Sequence, residues 1–315
     1  MDRDIRIDLL KFFAVLLITN SHMDTLYGRF SILATGGAIG DALFFFCSGY
    51  TLFMSKQRSF GNYYKRRIAR IYPTVFMTAL LASMFWGDQH NMFSIIYSGF
   101  GWFIPCIMLY YIPLFFIRKY GVNHPWLIAF LFTVVILVYY LFMNFPDNYN
   151  MYGNTFFKWV FFFIFMIQGA YIKKECTIVL SFLQILLFLF LSIASFYFII
   201  YLSGKGGMCR LQVLSLIPLS FICCFFYRLC NLEMLLKIYK SKCGILLRII
   251  SNLCLEIYLI QSFLFTDKLN FLFPLNILIV FTTIVIAAYF LRCMSRCFVQ
   301  TFDSKDYEWK AIFKV

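Results

Sequence analysis

Apolar runs of about 17 to 25 residues recur from one end of this chain to the other, the length a helix needs to cross about 30 Å of hydrocarbon. Such a sequence has no way to cover its apolar surface in one soluble core. With 62% hydrophobic and 13% charged residues over 315 positions, it is far from the average soluble domain, where about a quarter of residues carry charge. The pattern predicts an all-α, polytopic integral membrane protein whose solvent is the bilayer. Spans are expected near 7–27, 33–54, 71–86, 94–117, 125–144, 155–172, 178–201, 211–229, 245–265 and 273–299, about ten transmembrane helices in all. No internal repeat or Pro/Ser-rich linker interrupts them. Residues 1–315 therefore read as one transmembrane domain, with a short cytoplasmic tail from about 300.

A net charge of +14 invites a nucleic-acid reading, and the placement of the charges excludes it. With the N-terminus inside, the cytoplasmic segments collect Arg3, Arg6, Lys56, Arg58, Lys65, Arg66, Arg67, Arg70, Arg118, Lys119, Lys173 and Lys174. The later ones collect Arg228, Lys237, Lys240, Lys242, Arg248, Arg292, Arg296, Lys305, Lys310 and Lys314. The outer loops hold only Arg29, Lys205, Arg210 and Lys268, and Lys11 and Lys158 lie within spans. This is a positive-inside bias, which predicts both termini in the cytoplasm and a multi-pass protein of the cell (inner or plasma) membrane. The eleven cysteines form no C-x-x-C pair and no Cys/His metal spacing. Cys106, Cys223, Cys224 and Cys254 fall in apolar spans and read as packing, so no metal is expected. The first span starts close to Met1 without a small-residue cleavage site, as a retained helix does.

Ionisable groups at membrane depth are costly, and each is a functional candidate. In the first span Lys11 and His22 are eleven residues apart, three helical turns plus about 20° with about 16 Å of rise, so both fall on one face. Lys11 also fits a side chain snorkelling to the cytoplasmic interface, and His22 a hydrogen-bonded helix-packing group. Attack by a hydroxyl on a thioester needs a base near neutral pH, which favours His22. His90 and His124 fall in short loops and read as solvated. Asp41, in the inward-running second span, either approaches His22 and steadies its imidazolium or caps a broken helix. Arg66, Arg67 and Arg70 open the third span. Guanidinium forks suit the phosphates of coenzyme A, and such clusters equally serve as topogenic charge against anionic lipid. Glu256, near mid-membrane in the ninth span, reads as interhelical structure or cavity lining.

Four segments, in order, resemble the membrane acyltransferase 3 family, whose members acylate surface polysaccharides and related acceptors. They are Lys11 with ten residues before His22, Gly40-Asp41-Ala42-Leu43-Phe44-Phe45-Phe46-Cys47-Ser48-Gly49-Tyr50, Arg67 to Pro73, and Trp102-Phe103-Ile104 followed by Tyr110, Tyr111 and Pro113. Glu256-Ile257-Tyr258-Leu259 echoes a further family segment, with Gln261 where many members carry His. The resemblance implies that His22 is the catalytic histidine. It implies that Lys11 and the Arg67/Arg70 region serve a cytoplasmic acyl-CoA donor, and that the acceptor is reached from outside.

The expected function is transfer of an acetyl or other short acyl group from acyl-CoA to a hydroxyl of a cell-surface or lipid-linked carbohydrate. His22 and Asp41 would be catalytic, Lys11, Arg66, Arg67 and Arg70 would bind the donor, and Ser48, Tyr50, Trp102, Glu256 and Tyr258 would line the substrate path. The rival is a transporter or flippase of a lipid-linked saccharide, which predicts no CoA binding. The absence of matching broken helices in two halves speaks against it. A non-catalytic membrane partner would leave the Lys11/His22 pairing unexplained.

Overall fold

A computed structural model describes residues 4–56, 59–86, 101–121, 124–143, 149–153, 155–172, 180–205, 208–302 and 306–314. Arg3, Arg58, His90, Lys173, Lys174 and Lys305 lie outside the described residues. Within them every regular element is a helix: α1 (Ile5–Ser21), α2 (Asp24–Tyr27), α3 (Gly37–Phe53), α4 (Phe60–Trp86), α5 (Phe103–Tyr120), α6 (Pro125–Leu141), α7 (Lys158–Phe161) and α8 (Phe163–Tyr171). These are followed by α9 (Phe182–Ser203), α10 (Leu216–Cys230), α11 (Glu233–Lys240), α12 (Ile245–Asn252), α13 (Cys254–Ile260), α14 (Leu275–Thr301) and α15 (Trp309–Ile312). Short 3₁₀ turns join several of them, among them Gly28–Leu33, Cys209–Ser215 and Gln261–Phe263.

Among the described residues, five helices are long and apolar enough to cross a membrane: Phe60–Phe85, Phe103–Tyr120, Phe182–Ser203, Cys209–Cys230 and Leu275–Thr301. Counting Asp24–Leu33 with Gly37–Phe53, and Ile245–Asn252 with Cys254–Phe263, as broken spans raises the number to seven. Leu127–Leu141 and Lys158–Tyr171 are shorter apolar helices. Several expected boundaries move. The first span was read to 27, but its helix stops at Ser21. The third was read from 71, but α4 starts at Phe60 and takes the whole basic stretch into the helix.

The chain divides into two compact units. The first joins Met1–Ala14, Ala38–Lys56 and Ile112–Gly244. In it α9 packs on α10, and α8 touches both α6 and α10. Phe45, Phe46, Phe157, Phe161, Phe162 and Phe165 fill its interior, so the Phe161–Phe163 run is core. Helices α3 and α8 meet without side chains between them. A Cβ on Gly49 would fall on the Met166 carbonyl, and one on Gly169 on the Phe46 carbonyl. Small residues allow this close approach, which is how helices gain van der Waals contact when lipid offers no hydrophobic drive. Arg118 closes the end of α3 by donating to the Leu52 carbonyl (2.9 Å) and the Ser55 hydroxyl (3.0 Å).

The second unit joins Val15–Gly37, Gln57–Tyr111 and Ile245–Val315. Here α4, α13 and α14 pack against one another. A buried hydroxyl pair, Thr74 with Ser295 at 3.1 Å, links α4 to α14 one residue after Pro73, where proline removes a helical amide donor. The C-terminal residues fold back on α14. Arg296 donates to the carbonyls of Ala311 (3.0 Å) and Ile312 (3.1 Å), and the Tyr289 hydroxyl donates to that of Phe313 (3.0 Å).

Candidate functional site

In the first unit Asp4, directly before α1, and Asp8, in its first turn, are each joined to a cation and a phenol. Arg6 forks onto Asp4, with Nε to Oδ1 at 2.8 Å and Nη2 to Oδ2 at 2.7 Å, and the Tyr50 hydroxyl donates to Oδ2 at 2.7 Å. The Arg6 guanidinium also lies 5.5 Å from the Tyr227 ring centre and reaches Asn231 at 3.3 Å. One turn on, Asp8 is 2% exposed. Its Oδ2 accepts from the Tyr239 hydroxyl at 2.9 Å, and its Oδ1 stands 3.9 Å from Lys11 Nζ. Of the predicted residues in this unit, Lys11 therefore belongs to an ionic group, and Tyr50 is buried with its hydroxyl committed to Asp4. Ser48 is half-buried on α3, and its carbonyl accepts from the Thr51 hydroxyl at 3.1 Å. Asp41, in the second turn of α3, is half-buried and feels the charge of Lys158. Lys158 is 7% exposed, a burial that a lysine tolerates only near compensating groups.

In the second unit His22 stands directly after the last residue of α1 and is exposed, its amide donating to the Thr19 carbonyl at 3.1 Å. The helix stops there because Asn20 captures the returning chain. Its Nδ2 donates to the carbonyls of Leu33 (2.8 Å) and Thr35 (2.9 Å), and its Oδ1 accepts from the Tyr27 hydroxyl at 2.6 Å. The return is tight enough to need glycine. Gly36 has φ of 102°, and a Cβ there would strike Leu17.

The three candidate arginines of α4 separate. Arg66 and Arg70 are exposed, whereas Arg67 is partly buried with its guanidinium carbon 5.6 Å from the Tyr63 ring centre and 6.0 Å from that of Tyr111. Arg67 Nε is buried and has no hydrogen-bond partner among the described residues. The Tyr63 hydroxyl donates to the Tyr111 carbonyl (3.2 Å) and that of Tyr64 to the Met108 carbonyl (3.3 Å), fastening α4 to the first half of α5. Glu256, 7% exposed on α13, has Arg292 Nε at 4.0 Å, and the charges of Arg70 and Arg296 also reach it. Arg292 Nη1 in turn donates to the Asn252 carbonyl at 2.7 Å. The Tyr258 ring packs 5.3 Å from Phe103, which meets Trp102 edge-on at 5.9 Å. Gln261 is buried, and its Oε1 has no partner among the described residues.

Sequence reasoning missed Lys158, Tyr239, Tyr63 and Arg292 as partners. An ionisable residue inside an apolar run was the signal for Lys158, and a tyrosine on the apolar side of a basic amphipathic segment was the signal for Tyr239. Within the described residues, no cluster of three or more His, Cys, Asp or Glu could hold a metal ion. Among known proteins, a family model described as an acyltransferase domain matches residues 4–293, nearly the whole chain. No curated protein and no solved structure gives a significant match.

Proposed function

The chain belongs to the membrane acyltransferase 3 family, and from that premise we propose that it carries an acetyl or other short acyl group from cytoplasmic acyl-CoA to a hydroxyl of a surface or lipid-linked carbohydrate. Ten spans with both termini in the cytoplasm, in the cell membrane, make up its single catalytic domain. The observation that carries the reading is helix α1. It holds Lys11 beside buried Asp8 near its start and presents exposed His22 directly past its end. His22 takes the proton of the attacking hydroxyl as the new ester bond forms, and the CoA thiolate leaves as the thioester breaks. Asp41 is the second catalytic residue of this reading. Lys11, Arg66, Arg67 and Arg70 hold the donor, whose phosphates suit guanidinium forks. Ser48, Tyr50, Trp102, Glu256 and Tyr258 belong to the walls along which the substrates pass or to their immediate support.

The test is transfer from radiolabelled acetyl-CoA to native surface glycan in membranes carrying the intact protein or His22→Ala at equal level. Label lost only in the variant supports the reading. An intact protein that neither binds CoA nor labels glycan would put the transporter reading in its place. A variant that labels normally would remove His22 from the chemistry.

A further inference from the structure

We infer that Tyr239, on the amphipathic helix α11, is a positioning residue for Lys11, acting through the buried carboxylate of Asp8. The inference rests on the reading of Lys11 as a donor-side cation and adds the group that fixes where that cation stands. A carboxylate removed from water needs both a counter-charge and hydrogen bonds, because each alone leaves part of its desolvation uncompensated. Asp8 finds the two on different elements. Lys11, one turn further along α1, supplies the charge at 3.9 Å from Oδ1. Tyr239, 231 residues away in sequence, supplies a hydroxyl donor at 2.9 Å to Oδ2.

The distances assign the roles. At 2.9 Å the tyrosine contact is a directional hydrogen bond, whereas at 3.9 Å the lysine meets the carboxylate as an ion pair beyond hydrogen-bond range. The two carboxylate oxygens are a rigid planar fork, so an anchor on Oδ2 constrains where Oδ1 points and hence where it meets Lys11 Nζ. Tyr239 is itself fixed, since its side chain is the buried one of α11 while Glu233, Lys237 and Lys240 are exposed. The same arrangement recurs one turn earlier, where the Tyr50 hydroxyl and the Arg6 fork share Asp4. The base of α1 is thus held twice by a phenol donating to an acid.

The experiment measures acetyl-CoA KM and kcat in membranes carrying wild-type protein, Lys11→Gln, Asp8→Asn, Tyr239→Phe or the Asp8→Asn/Tyr239→Phe double variant, at matched levels. Phenylalanine keeps the ring and removes only the donor. Tyr239→Phe is expected to raise KM about 5-fold with kcat within about 2-fold, a fraction of the effect of a direct hydrogen bond to a charged group, because the loss reaches the donor only through Lys11. The double variant should be no worse than Asp8→Asn alone. The inference falls if Tyr239→Phe leaves KM unchanged while Lys11→Gln raises it, or if the Asp8 and Tyr239 effects add. If Lys11→Gln itself leaves KM unchanged, the donor-side reading of Lys11 falls, and this inference falls with it.

Discussion

The Tyr50 hydroxyl donates to the Asp4 carboxylate at 2.7 Å, on the same oxygen that Arg6 Nη2 reaches at 2.7 Å. Partial burial alone would push the Asp4 carboxyl up, but the hydrogen bonds from Arg6 and Tyr50 outweigh it and hold the group below its ordinary 3.8. The folded state therefore binds this proton more weakly than the unfolded chain. Its contribution to stability is fully present above about pH 4 and is lost as pH falls through the lower folded value. Tyr50→Phe should cost about 2 kcal/mol at neutral pH and move the lower end of the acid loss upward, narrowing its pH window. Thermal unfolding of the purified protein at pH 7 and pH 3 measures both. An unchanged acid limb would show that Tyr50 does not support this carboxylate.

Arg67 alone of its cluster sits between two tyrosine rings, and a planar guanidinium uses such a place differently from an ammonium. Arg67→Lys keeps the charge and loses the stacking, and acetyl-CoA KM should rise about 10-fold. Arg66→Lys, at an exposed position, should stay within about 2-fold. Steady-state kinetics on both variants decide it, and equal effects would mean that charge alone matters.

Buried Glu256 and half-buried Arg292 face each other at 4.0 Å across α13 and α14. Glu256→Gln removes the carboxylate that faces Arg292 and should destabilise by about 3 kcal/mol, whereas Glu256→Leu with Arg292→Met should recover most of that loss. Melting curves in detergent give the comparison. A single variant as stable as wild type would contradict the pairing.

Asn20 holds the chain that returns past His22. Asn20→Ala removes its bonds to the Leu33 and Thr35 carbonyls and, on the proposed reading of His22 as the base, should lower kcat about 10-fold, since a base displaced by a fraction of an ångström loses its geometry. The KM for acetyl-CoA should stay put, and a KM effect without a kcat effect would assign Asn20 to the donor side.

The long apolar helices were legible because a hydrocarbon layer demands a minimum length, although among the described residues five to seven, not the ten expected, are long and apolar enough to cross a membrane. What sequence could not supply is where helices stop and who meets whom. The end of α1 depends on Asn20 reaching carbonyls 13 and 15 residues ahead, a contact with no periodic signature. The early start of α4 was half legible: Arg66, Arg67 and Arg70 read as opening the third span, but its apolar run alone put the boundary at 71, and a helix at the interface carries the basic residues as well. Three arginines of one type looked equivalent until Tyr63 and Tyr111 enclosed Arg67 alone. Glu256 was visible as a buried acid, but its partner Arg292 lies on another helix, and pairing over such distances leaves no local trace. The family resemblance reached further than any single motif because the order of four weak segments is hard to produce by chance, and the match over residues 4–293 agrees with it.

Gly49 and Gly169, where α3 and α8 touch backbone to backbone, bear on how a saturation mutagenesis of this chain should be interpreted. Every substitution at either position adds the same forbidden carbon, so both columns of such a map would be blank regardless of the chemistry of the incoming residue. Gly49 lies within the segment shared with the family, beside Ser48 and Tyr50, and its blank column would resemble the signature of a reactive centre. Gly169 separates the two meanings. It is far from that segment in sequence, and a matching blank there identifies the pair as one steric joint, required for closeness rather than for catalysis.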